Sequence, residues 1–146
     1  MSDTEHLYDV HLEWKEGKIG TLSSPVLNNE ITVATPPEFE GGVAGIWSPE
    51  HLFVAAVSSC FMTTFTAIAG FSKLDYKNLN VAAEGKMEKV DGKFVISAIT
   101  LKAELTIFED DKKDKAIRIM EKSEAACLIS RSIKTEVHLE PTVLIS

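Results

Sequence analysis

Apolar and polar residues alternate strictly from Tyr8 to Trp14, where Tyr8, Val10, Leu12 and Trp14 are separated by Asp9, His11 and Glu13. A period of two places the apolar set on one face of a half-buried β-strand. Gly17 and Gly20 punctuate the next stretch, and the runs Thr21–Ser24 and Asn29–Val33 predict two further strands in an antiparallel meander. Pro36, Pro37, Gly41, Gly42 and Gly45 then make a flexible loop. Ser48-Pro49-Glu50 predicts a helix start, with Ser as N-cap, Pro at the first helical position and Glu facing the positive end of the dipole.

The twenty residues from Leu52 to Phe71 carry no charge. Their length and apolarity meet the formal criterion for a membrane span. The Ser and Thr residues within the run, the lack of flanking Lys or Arg on the Trp47 side and the amphipathic strands on either side favour a helix buried on all sides instead. One small sheet covers only one face of such a helix. Burial of the rest therefore predicts a second copy of the chain, an obligate homodimer with central helices between sheets.

Beyond this helix, Asn80–Val90 and Lys93–Phe108 contain alternating segments joined by Asp91-Gly92, a compact hairpin signal. Val95, Ser97, Ile99, Leu101, Ala103, Leu105 and Ile107 share one face of the second strand. After the charged turn Glu109–Asp114, the recurrence of Ala116, Met120, Ser123 and Cys127 predicts a second helix up to about Ser132, and a last strand runs from Thr135 to Leu144. The order is three strands, helix, two strands, helix, strand, without repeat or linker. This predicts a single α+β domain over residues 1–146 rather than a strictly alternating parallel fold.

Composition narrows the function. The 146 residues include 15 Lys plus Arg against 22 Asp plus Glu, a net charge of −7, with 45% hydrophobic residues and two Cys. The apolar fraction excludes a disordered chain, and two cysteines cannot build a disulfide framework. An acidic balance repels phosphate backbones and anionic membranes, so the expected partners are small molecules or proteins, with no nucleic acid and no membrane. The acidic start Met1–Val10 has no basic region followed by an apolar one, which predicts a cytoplasmic protein whose thiols stay reduced.

Cys60 lies in the middle of the uncharged helix and Cys127 near the end of the second. Each is either a small buried hydrophobe or half of a dithiol, in which a thiolate attacks peroxide and the resulting sulfenic acid is resolved by the second thiol. Neither cysteine is expected at a helix N-terminus, so a nearby cation is expected to supply the pKa lowering that such chemistry needs. Arg118 and Arg131 are the only arginines. Arg131 is expected to pair with carbonyls at the helix C-terminus, and His51 to be a surface or interface residue. Glu50, His51 and the cysteines show no metal-ligand spacing, and Gly41–Gly45 lacks the Lys and Ser or Thr of a phosphate cradle.

The stretch Trp47–Phe61, WSPEHLFVAAVSSCF, resembles the OsmC/Ohr superfamily, the osmotically inducible and organic hydroperoxide resistance proteins. There a Pro-Glu dipeptide opens a central helix and a reactive Cys followed by Phe comes ten residues after the Glu, as Glu50 and Cys60 do here. Cys127-Leu-Ile-Ser130 is similar to the family's second cysteine motif, and Ile96–Lys102 to its long fifth strand. The resemblance spans essentially the whole chain. It implies an intertwined homodimer with interface sites, central helices and antiparallel sheets, and a thiol peroxidase acting on organic hydroperoxides or hydrogen peroxide. By position, Cys60 is the peroxidatic nucleophile, Cys127 the resolving thiol, and Glu50 the carboxylate that orients a cation. No metal or organic cofactor is implied, and the implied reductant is a small or protein-bound dithiol such as dihydrolipoamide. The family's arginine is absent: Glu38 stands before Phe39-Glu40-Gly41 where one branch has it, and Lys18 stands in the Gly17–Gly20 turn where the other does. That substitution leaves two alternatives, a non-enzymatic protein binding a small hydrophobic ligand and a redox sensor.

Overall fold

A computed structural model describes residues 4–146, which divide into two compact units, one ending at Leu52 and the other spanning Phe53–Ser146. In the first unit β1 (His11–Glu16), β2 (Ile19–Ser23) and β3 (Ile31–Ala34) form the expected antiparallel meander in the order β1-β2-β3. Gly17 turns the chain between β1 and β2 at φ 52°, and the Trp14 indole Nε1 donates to its carbonyl at 2.9 Å. The strand predicted from Tyr8 begins only at His11, and it is not half-buried: all six residues of β1 are exposed, Trp14 by 70%. Its alternating face is therefore apolar without being covered.

The backbone then fixes the entry to the first helix, α1 (Pro49–Phe71). Ala34 N–H donates to the Trp47 carbonyl at 2.9 Å, and the next residue, Ser48, is fully buried. Its Oγ accepts the His51 N–H at 3.0 Å, the N-cap bond that the Ser-Pro-Glu sequence predicts.

In the second unit β4 (Tyr76–Val90), β5 (Lys93–Ile107) and β6 (Glu136–Ile145) lie in the order β4-β5-β6. Asp91 and Gly92, at φ 52° and 78°, close the β4–β5 hairpin as an Asp-Gly turn should. β6 runs parallel to β5, in register from Ala98 with Glu136 to Ile107 with Ile145, which corrects the expectation of purely antiparallel sheets. A parallel return needs a crossover. A single 3-10 turn (Asp110–Lys112), α2 (Lys113–Ala126) and α3 (Leu128–Arg131) supply it.

The core of this unit forms where the inward residues of β5, from Ile99 to Ile107, meet one stripe of α1 and one of α2. Val57, Phe61, Phe65 and Ala69 recur every fourth residue of α1 and pack with Ile99, Leu101, Leu105, Ala116 and Met120. Phe65 also meets Tyr76 edge-on, with centroids 5.1 Å apart. Val95, placed on the same face by its spacing, is exposed because β5 runs on beyond this core. The expected burial of α1 on all sides is not met within one chain: Phe71 is 86% and Met62 43% exposed. α1 is long and apolar enough to cross a membrane by length and composition, yet its buried stripe is that of a helix packed on one side.

Close approach of α1 to β4 depends on Gly85, where an added Cβ would sit 2.5 Å from Val54 Cγ2. Because a valine methyl is stiff, the contact must be relieved by moving the helix. Gly85→Ala is expected to destabilise the protein by about 1–3 kcal/mol, and Val54→Ala in the same chain to recover part of the loss, as measured by denaturant unfolding.

Candidate active site

Cys60 and Cys127, predicted from sequence as a dithiol or two inert hydrophobes, are brought together within the second unit. Cys60 is partly buried on α1, and Cys127 is fully buried between α2 and α3; neither forms a disulfide. The two thiols are near enough to influence each other's ionisation.

The second helix, expected to run unbroken to about Ser132, breaks at Cys127. There ψ is 119°, so the residue is extended, and the chain re-enters helix at Leu128. A new helical start exposes backbone N–H groups that a continuous helix would consume. Those of Ile129 and Leu128 act on the Cys60 sulfur, joined by the Thr64 hydroxyl one turn further along α1, at 4.0 Å. Burial pushes the Cys60 thiol up, but hydrogen bonding from Cys127, Ile129, Thr64 and Leu128 outweighs it and leaves the thiol below its ordinary value. Cys127 moves the other way. Burial and its role as donor to Cys60 push it up, against a smaller lowering by the Ser130 hydroxyl and N–H.

Uncharged donors freed by the helix break thus act on Cys60 in the direction expected of a cation. Arg131 ends α3 exposed, and its guanidinium closes no hydrogen bond among the described residues, so the carbonyl pairing expected of it is not made.

The other predicted residues belong to the first unit. Lys18 Nζ donates to the Glu40 carbonyl at 2.6 Å, and its stem lies against Gly41, where an added Cβ would be 3.3 Å from Cδ and Cε. That loop has its own bonds, from Phe39 N–H to the Pro36 carbonyl and from Gly42 N–H to the Phe39 carbonyl. Gly42 is required there, since a Cβ would overlap the Pro36 oxygen at 2.0 Å. The loop also carries Glu38, so the two positions where a cation was sought lie at one corner. Glu50 sits in the first turn of α1, and its Oε1 is buried with no hydrogen-bond partner among the described residues. Neither a hydrogen bond nor an ion pair joins it to Lys18. His51 is exposed with its Nδ1 2.6 Å from Ser48 Oγ, which marks it as part of the helix cap. Among the described residues no three His, Cys, Asp or Glu gather as for a metal ion.

Sequence reasoning picked out Ser130 only as part of the second cysteine motif and missed the Thr64 hydroxyl and the backbone donors around the sulfurs. Thr64 four residues after Cys60, and Ser130 three after Cys127, were legible as helical spacings. The backbone N–H groups were not, because the break at Cys127 is marked by neither Gly nor Pro.

A paired-thiol site on this α+β scaffold defines a class, and comparison with known proteins identifies it. Residues 42–142 match the model of the OsmC-like protein family, and the chain belongs to that family. Peroxiredoxin OsmC of Escherichia coli is 31% identical over 128 residues, 86% of each chain. The uncharacterised protein YmaD of Bacillus subtilis is 26% identical over 141 residues, 93% of this chain and 92% of its own. An OsmC-like protein of unknown function from Vibrio cholerae shares the fold with a TM-score of 0.85 at 21% identity, covering 94% of this chain and 99% of that one.

The opposed shifts of the two thiols are directly measurable. In a pH series of alkylation read by mass spectrometry, Cys60 is expected to react at a pH below the ordinary thiol range and Cys127 only above it. Cys127→Ala removes the S–H donor and is expected to move the Cys60 midpoint upward.

Proposed function

We propose that the protein is a thiol-dependent peroxidase that reduces organic hydroperoxides, and hydrogen peroxide with them, through Cys60 and Cys127. The observation that carries this reading is the adjacency of one thiol held below its ordinary pKa and one held above it. The first is the more readily ionised of the two and so the better nucleophile, and the second holds its proton more firmly. The name peroxiredoxin on the Escherichia coli relative supports the same reading.

In the reaction, the Cys60 thiolate attacks the terminal peroxide oxygen and the O–O bond breaks. The organic fragment takes a proton from solvent and departs as an alcohol, while Cys60 becomes a sulfenic acid. Cys127 then attacks the Cys60 sulfur, forming a disulfide and releasing water. A small or protein-bound dithiol such as dihydrolipoamide restores both thiols by exchange, becoming a disulfide itself. Glu50 and Lys18 are assigned as the carboxylate and cation of the peroxide site. An ammonium supplies charge there without the two-pronged contact of a guanidinium. A cytoplasmic setting suits the chemistry, since thiols are kept reduced there.

We also propose that the working form is a homodimer. Leu12 and Trp14 on β1, and Met62 and Phe71 on α1, present large apolar side chains to solvent in a single chain. Surfaces of this kind mark an interface. Sedimentation equilibrium is expected to give twice the chain mass across micromolar concentrations, and a stable monomer would overturn the assignment.

Activity is tested by following cumene hydroperoxide consumption with dihydrolipoamide, together with thiol counting after one equivalent of oxidant. The wild-type protein is expected to turn over and lose both thiols. Cys60→Ser is expected to abolish turnover, and Lys18→Ala and Glu50→Ala to slow the first step about 10²-fold or more. Full activity in Cys60→Ser would refute the role of that cysteine.

A further inference from the structure

Hydroxyl groups on these helices follow one rule with two exceptions. Ser58, Ser59, Thr63, Thr66, Ser123 and Ser132 each return the side-chain hydroxyl to a carbonyl three or four residues back. That is the ordinary fate of Ser and Thr in a helix. Thr64 instead lies against the Cys60 sulfur. Ser130 is the second exception: its Oγ is buried and closes no regular hydrogen bond among the described residues. The Cys127 carbonyl, three residues back, accepts Arg131 N–H at 3.1 Å.

A buried hydroxyl without a partner is costly, so its retention asks for a state in which it has one. Ser130 stands one turn after Cys127, at the third residue of α3, and its hydroxyl and backbone N–H both reach that sulfur. In the reduced pair Cys127 is a thiol that spends its own proton on Cys60, and a neutral thiol is a weak acceptor. The hydroxyl gains a strong acceptor only when Cys127 loses that proton.

We propose that Ser130 is a positioning residue for disulfide formation, its hydroxyl donating to the Cys127 sulfur as that sulfur becomes a thiolate and attacks the Cys60 sulfenic acid. The inference rests on the two-thiol peroxidase reading and deepens it. The S–S bond forms as the Cys60 S–O bond breaks. The departing hydroxide takes the proton given up by Cys127 and leaves as water, and Ser130 keeps its own proton throughout. The peroxide has already been reduced by then, so this step needs no further oxidant. The nearby Ser130 hydroxyl, though it closes no regular hydrogen bond, acts in the direction this role requires, lowering the Cys127 thiol against its burial. Thr64 and Ser130 thus give each sulfur its own hydroxyl, one for each half of the reaction.

The test separates the two half-reactions in the full-length protein. Sulfenic acid is trapped with dimedone after rapid mixing with cumene hydroperoxide, and disulfide is followed by thiol loss. Ser130→Ala is expected to slow disulfide formation about tenfold and raise its pH midpoint by about one unit. Sulfenic acid formation should keep its rate, and Ser130→Thr should recover most of the disulfide step. Because the substitution removes an unpartnered polar group, Ser130→Ala should unfold no earlier than wild type. An unchanged disulfide rate and pH midpoint would overturn the proposal, as would equal slowing of both steps. A companion titration is independent of peroxide chemistry: in a Cys60→Ser background, ultraviolet thiolate absorbance reports Cys127 alone. There Ser130→Ala should raise the Cys127 midpoint by about one unit. If the wild-type protein ignores peroxide, the peroxidase reading falls, whereas an unmoved titration midpoint removes the role of Ser130 by itself.

Discussion

At Cys127 the backbone leaves the helical region for a single residue, and the difference between the two thiols hangs on that interruption. A continuous helix would turn the N–H groups of Leu128 and Ile129 back onto its own carbonyls. The break frees them for the Cys60 sulfur and leaves Ser130 to Cys127. Backbone donors are fixed in place by the fold, so they stabilise a thiolate without the side-chain ordering that a Lys or Arg would require. The same local geometry gives the two sulfurs different neighbours, which is how two chemically identical groups acquire different acidities.

The second constraint is the stripe of α1. Val57, Phe61, Phe65 and Ala69 anchor it to β5, and Gly85 lets it come close to β4. This anchoring fixes the height of Cys60 along the helix and holds it opposite the break. From Leu52 onward the remaining faces of α1 carry no charge, yet they are not needed for the core of the chain that bears them. They are the faces that the proposed homodimer would cover.

Much of this architecture was legible in the sequence where local chemistry and tertiary packing agree. Ser48-Pro49-Glu50 marks the start of α1, Asp91-Gly92 marks the hairpin, and the alternation through Ile99–Ile107 marks the buried face of β5. Periodicity failed where it reports amphipathic character rather than burial. β1 alternates perfectly and is exposed on both faces, and α1 is apolar all round but buried along one stripe. The parallel pairing of β6 was invisible because strand direction is set by the crossover and not by the strand's own residues. The two cysteines were found as candidates, and family resemblance gave them roles. The origin of their acidities was not legible, because it lies in the dihedral angles of one residue with no glycine or proline to announce it.

The β4–β5 hairpin is longer than the third strand that supports it. Pairing with β6 begins only at Ala98, so Met87 to Ile96 form a two-stranded ribbon that extends past the core. Polar contacts hold this ribbon: Ser97 donates to the Glu88 carboxylate, Lys86 lies 3.7 Å from the same carboxylate, and Lys89 stands over the Phe94 ring. Such contacts are screened by salt, while the apolar base is not. The strand pair is accordingly held by apolar packing at its base and by salt-screened polar contacts at its far end. Lysines along both free edges discourage a further strand from adding there, which leaves the tip open to changes of length and sequence that the sulfur chemistry would never feel.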